Sequence, residues 1–187
     1  MAGHAVCPWW IGWFLASPLR RILQNPVPIV APYLHNGMTV LEPGPGMGFF
    51  TLELARLVGP SGRVIAVDIQ PQMIAGLRRR AHRAGLANRI DGRVVPSTSM
   101  RLDNLKGAVD FMFVCAVVHE MPGPGPFFNE AADALKPGGT LLLAEPAGHV
   151  DDAEFADELA AAAQASLVIT SHPLRSCRTA LLRKPAT

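Results

Sequence analysis

Val40-Leu41-Glu42-Pro43-Gly44-Pro45-Gly46-Met47-Gly48, followed by Phe49-Phe50-Thr51-Leu52-Glu53-Leu54-Ala55, decides the reading of this chain. It reads as the end of a buried strand, a glycine-rich turn and the start of a helix. Backbone without side chains lets a ligand approach closely, and a helix N-terminus offers free N–H groups. A dinucleotide loop spaces its glycines Gly-x-Gly-x-x-Gly. Here Phe49 occupies that last position, and the third glycine, Gly48, falls one residue early. The acid Glu42 stands directly before the turn, and a carboxylate at a strand tip suits a cationic group better than a pyrophosphate.

Working outward, apolar runs and helical spacings alternate. Residues 38–41 predict the first strand, 50–58 a helix, and 64–67 a second strand of the continuous apolar kind buried in parallel sheets. A helix over residues 70–84 closes at Gly85. Residues 93–95, 111–116 and 140–144 predict three further strands, with a helix over 127–135 and a turn at Lys136-Pro137-Gly138-Gly139. A helix over 151–164 follows, and residues 167–169 and 179–182 suit a closing hairpin. Upstream, Pro26, Pro28 and Pro32 predict a break after an aromatic N-terminal segment. Alternating strands and helices predict a doubly wound α/β fold. It has a mostly parallel seven-stranded sheet covered on both faces and an antiparallel C-terminal hairpin. Ligands in such sheets bind beyond the C-terminal strand ends.

The totals are consistent with one globular domain spanning residues 1–187, with 1–30 as an aromatic helical cap. Apolar residues make up 49% and charged residues 17% of the chain. A net charge of +2 argues against a dedicated nucleic-acid surface. Cys7, Cys115 and Cys177 form no CxxC pair, so no disulfide framework or zinc site is predicted, and a cytoplasmic location is the expectation. The run Trp9-Trp10-Ile11-Gly12-Trp13-Phe14-Leu15-Ala16 is too short to span a bilayer, and stable membrane insertion is not expected. Nothing in the sequence addresses oligomeric state.

Asp68 ends the second strand about 20 residues beyond Gly48, where a doubly wound fold sets an acid against ribose hydroxyls. The alternative is that Asp68 caps the helix starting near Gln70. With Val64 to Asp68, Asp110 to Glu120 and Leu135 to Leu142, the glycine stretch resembles the ordered motifs of class I S-adenosylmethionine-dependent methyltransferases. The resemblance covers about residues 38–146, and the small-molecule enzymes of quinone biosynthesis and arsenite methylation look similar. It implies S-adenosyl-L-methionine as cofactor. Gly44, Pro45, Gly46 and Gly48 would face its methionine part, Glu42 its ammonium, Asp68 its ribose and Ile69 its adenine. Cys115, at the fourth strand end, would also line that site. The family's usual acid after the third strand is absent, leaving Ser97 and Thr98 as candidates near the adenine amino group.

The acceptor is expected to be a small molecule lying past the fourth and fifth strands. His119 is the candidate base, with Glu120 orienting or charging it. The alternative for His119 is a packing or capping role. Another reading brings His119, Glu120, Glu145 and His149 together around a metal, although no ligand spacing supports it and no metal is predicted. Arg78-Arg79-Arg80 with His82 and Arg83 reads as a solvated face, without the aromatic interleaving of a nucleic-acid surface. Three functions compete: methyl transfer to an apolar or aromatic oxygen or carbon acceptor, cofactor binding without catalysis as a sensor or scaffold, and a nicotinamide-dependent dehydrogenase. The missing third dinucleotide glycine counts against the last.

Overall fold

The structure, a computed structural model, describes residues 25–121, 123–146, 148–173 and 178–186. Most of the proposed aromatic cap, with Cys7 and Cys177, lies outside the described residues. Two compact units divide in sequence between Pro96 and Ser97.

In the first unit β1 (Thr39–Pro43), β2 (Arg63–Asp68) and β3 (Ile90–Val94) pair in parallel. Register places Glu42 beside Ala66 and Asp68 beside Val94, so both acids stand at C-terminal strand ends. The described helices here are α1 (Val27–Val30), α2 (Thr51–Leu57) and α3 (Pro71–Arg83). The expected proline break is instead the short α1, followed by a 3-10 turn over Ala31–Tyr33. Proline's fixed φ suits a first helical turn, where its missing N–H costs nothing. β3 starts three residues earlier than the apolar run suggested. Its polar positions Asp91 and Arg93 form an ion pair of 2.7 Å, so a half-exposed strand here carries little hydrophobic signal.

In the second unit β4 (Val109–Cys115) pairs in parallel with β5 (Leu135–Glu145), which pairs antiparallel with β7 (Arg178–Arg183). β6 (Val168–Ser171) closes the hairpin against β7. The seven strands run in the order β3-β2-β1-β4-β5-β7-β6, the expected mostly parallel sheet with an antiparallel end. The expected turn at Lys136–Gly139 lies inside β5. There the register jumps from Val109↔Leu135 to Phe111↔Thr140, and Gly138 N–H donates to the Lys184 carbonyl at 3.0 Å. A bulge therefore takes up the turn chemistry without ending the strand.

α4 (Pro124–Ala134) begins before the predicted residue 127, because Pro124 and Pro126 occupy its opening turn. α5 (Asp152–Gln164) is closed at its start by a capping box. Asp151 accepts from the Ala153 and Glu154 N–H groups at 2.8 and 2.9 Å, and Glu154 accepts from Asp151 N–H at 3.0 Å. Asp151→Ala is expected to cost about 1 kcal/mol and lower the melting temperature by about 2–4 °C, measured by calorimetry. No shift would mean that the cap is redundant.

Candidate functional site

Burial dominates the first unit's strand ends. Glu42 is 3% exposed, and its Oε2 has no hydrogen-bond partner among the described residues. Burial pushes its carboxyl up to about 8, and the charge of Asp68 adds to the rise. The Thr51 hydroxyl draws it back, without reaching hydrogen-bond geometry. An unpartnered buried carboxyl is costly unless a cation or donor arrives to meet it.

The three glycines all take left-handed backbone, with φ of +64° at Gly44, +54° at Gly46 and +85° at Gly48. The turn is pinned by Gly44 N–H to the Val67 carbonyl at 2.9 Å and Gly48 N–H to the buried Pro45 at 3.0 Å. Their surroundings differ. A Cβ on Gly46 would meet nothing within 4 Å, whereas one on Gly48 would run into Leu77 Cδ1 on α3. Gly46 thus offers an open backbone face and Gly48 a packing contact.

Two arginines of the basic run reach backbone carbonyls, one in this loop and one on β3. Arg80 Nη1 donates to the Met47 carbonyl at 2.6 Å, and Arg78 Nη2 to the Gly92 carbonyl at 2.6 Å. Burial lowers the Arg80 pKa. The run is therefore partly internal scaffolding, which its spacing around a helix did not disclose. Gly76 serves the same packing, since a Cβ there would lie 2.8 Å from Met47 Cγ.

Asp68 is 8% exposed, and its Oδ1 accepts from Gln70 N–H at 2.8 Å, so it does steady the entrance to α3. Next to it Ile69 presents an apolar side chain 39% exposed. Ser97 and Thr98 lie exposed in a turn of the second unit. Beyond them, Glu130 holds Met100 N–H at 2.9 Å and the Ser99 hydroxyl at 3.2 Å.

The second unit gathers its own cluster where β4 and β5 end. Cys115 is half-buried and lies beside Ala144. Ala116 takes a φ of +55°, uncommon for a residue with a Cβ. The chain then turns through a 3-10 segment, Val118–Glu120. Fully buried Glu145 accepts from Val117 and Val118 N–H at 3.3 and 3.0 Å, and its Oε2 lies 2.6 Å from His119 Nδ1. The carboxylate on this ring is thus Glu145 across the strand pair, where Glu120 was expected. The His149 ring stands edge-on to His119 at 5.8 Å. Glu158 on α5 is buried, with one oxygen unpartnered. Its carboxyl is pushed up first by burial and then by the charges of Glu145 and Glu154. Among the described residues no three His, Cys, Asp or Glu side chains are arranged to hold a metal ion. None of the described helices is long and apolar enough to cross a membrane.

A methyltransferase-domain family model matches residues 34–176. A protein-L-isoaspartate O-methyltransferase of Hyperthermus butylicus is 32% identical over 59% of this chain and 45% of its own length. An arsenite methyltransferase of Aquipseudomonas alcaligenes is 34% identical over 70% of this chain and 38% of its own. The chain therefore spans less than half the length of these curated relatives. The crystal structure of a SAM-dependent methyltransferase from Aquifex aeolicus superposes with a TM-score of 0.83 at 23% identity, covering 95% of this chain and 99% of that one.

Proposed function

We propose that this chain, which belongs to the class I S-adenosylmethionine-dependent methyltransferases through its methyltransferase domain, transfers a methyl group to a small, apolar or aromatic molecule at an oxygen or carbon atom. The whole chain would act as one catalytic domain in the cytoplasm. The observation that carries the donor half is Glu42, a buried carboxyl with one oxygen unpartnered beside a loop of left-handed glycines.

The residues present fit the cofactor. Glu42 matches an ammonium, and the open backbone face at Gly46 leaves room for the amino-acid part. Asp68, at the end of β2, would accept from the ribose diol, and the exposed Ile69 would offer an apolar surface to the flat base. When bound, the sulfonium supplies an electrophilic methyl. The protein's part is then to hold the acceptor in line with it and exclude water.

Calorimetry tests the donor half. The chain is expected to bind S-adenosylmethionine and its demethylated product, and not NAD. Failure to bind either sulfur nucleotide would sink the reading. Turnover of phenols, quinols and thiols then separates an enzyme from a non-catalytic sensor. Asp68→Ala is expected to weaken product binding by about 10–100-fold, because a carboxylate contributes charge-assisted hydrogen bonds to a diol. Unchanged affinity would leave Asp68 only its bond to Gln70 N–H.

A further inference from the structure

Resting on the proposed methyl transfer, we propose that His119 takes a proton from the acceptor and that Glu145 is its positioning residue. This narrows the acceptor to a molecule whose reacting oxygen carries an acidic hydroxyl, such as a phenol or enol.

The argument begins with the carboxylate. Glu145 is fully buried, and the Val117 and Val118 N–H groups fix its Oε1. A carboxylate only accepts hydrogen bonds, so the imidazole nitrogen 2.6 Å from Oε2 must donate. In the neutral ring the proton then sits on Nδ1 and the lone pair on Nε2. That Nε2 has no hydrogen-bond partner among the described residues, and the His119 side chain keeps 17% of its exposure. Capping the loop N–H groups explains one Glu145 oxygen. It does not explain why the other is spent on orienting a ring whose second nitrogen is left open.

The setting supports the same tautomer. Cys115↔Ala144 register brings the ends of β4 and β5 side by side, and Ala116 N–H donates to the Ala144 carbonyl at 2.9 Å. The left-handed turn at Ala116 then leads into the 3-10 segment whose first N–H groups meet Glu145. Among the described residues, the titratable groups beside the pair are His149 after β5, Glu158 on α5 and Arg178, the β7 register partner of Glu145, while Glu120 follows His119 in the chain. Glu158, driven towards its neutral form, adds little negative charge that would compete with the Glu145 carboxylate.

In the step proposed, the acceptor O–H bond breaks and its proton goes to Nε2. The electron pair stays on oxygen as the nucleophile, and Glu145 faces the resulting imidazolium. Solvent later takes the proton from the partly exposed ring.

The test uses the full chain, with Glu145→Gln and His119→Gln. Nitrogen-15 NMR of the wild type without cofactor is expected to show the proton on Nδ1, and Glu145→Gln, whose amide can donate to Nδ1, to move it to Nε2. With a weakly acidic phenol, His119→Gln is expected to lower kcat by about 10²–10³-fold and Glu145→Gln by about tenfold or more. With a nitrophenol already ionised at the assay pH, both losses should shrink to within about threefold, because no proton is left to remove. Calorimetric affinity for the demethylated cofactor should stay within about twofold in both variants. A merely structural pair would instead slow both phenols equally. That outcome overturns the proposal, as would a wild-type Nε2–H tautomer, turnover confined to carbon acceptors, or no turnover of hydroxylated acceptors. Lack of cofactor binding by the wild type is a separate result that defeats the proposed function itself.

Discussion

Glu42→Gln is expected to weaken binding of S-adenosylmethionine and its demethylated product by about 100-fold, while making the ligand-free chain more stable above pH 8. The affinity loss of about 3 kcal/mol is typical of removing one partner from a buried charge pair. The stability gain follows from linkage. The Glu42 carboxyl is raised from 4.5 to about 8 in the folded chain, so the folded state holds its proton more tightly than the unfolded state does. Ligand-free stability therefore falls as pH rises from about 4.5 to about 8, and above that the full cost of the buried charge is present. Glutamine carries no such charge. At about pH 9 the variant should gain on the order of 2 kcal/mol, or several degrees in melting temperature, and the gain should vanish near pH 4.

Binding should carry the same signature. Below pH 8 an ammonium ligand must displace the Glu42 proton, so affinity should rise by about tenfold between pH 6.5 and 7.5. The ligand's own amino group loses its proton near 8, so affinity should peak there and decline beyond it. Glu42→Gln should flatten the rising limb. Calorimetry across that pH range checks both claims. A flat wild-type profile, or a variant that binds normally, would remove Glu42 from the ammonium site.

Gly48→Ala is expected to destabilise the chain by about 3 kcal/mol, lowering the melting temperature by about 6–12 °C. Two costs combine. A φ of +85° strains any residue with a Cβ by about 1–2 kcal/mol. The new methyl also displaces Leu77, which is fully buried in a cluster with Ala66 and Ile74. Gly46→Ala makes the contrast. Its φ of +54° carries similar backbone strain, but its Cβ enters open space, so about 1 kcal/mol of stability should be lost. Product affinity should fall more than stability does, because the methyl occupies the face offered to the ligand. Thermal melts and calorimetry on both variants separate the roles. If Gly48→Ala folds normally and only Gly46→Ala unfolds, the assignment of packing and ligand faces is reversed.

Much of the fold was legible from pattern. The apolar runs at Val64–Val67 and Phe111–Val114 could only be buried strands, and Gly85 does follow the third helix closely, adopting a φ of +68°. Boundaries failed where proline or charge masked an element. Pro28 reads as part of a break and residue 127 as the start of the helix after β4, yet Pro28, Pro124 and Pro126 each sit in a first helical turn. Asp91 and Arg93 hid the start of β3 because they satisfy each other on its exposed side. Legibility of the site was uneven too. Glu42 and Asp68 stood out as acids at strand tips, whereas Arg80, Gly76 and Glu158 gave no signal. Nothing local marks an arginine that reaches back 33 residues to a carbonyl.

By itself, then, the sequence determined the alternation of strands and helices, the glycine-rich turn and the two acids beside it. These depend on local backbone preference and on periodic burial, which neighbouring residues encode. Only the tertiary structure decided that Gly48 packs on Leu77 while Gly46 stays open, and that Glu145 holds His119. His119 and Glu145 are 26 residues apart, and the β4–β5 register, with its bulge after Leu135, brings them together. Such a contact is set by how strands pair, and no window of sequence contains it.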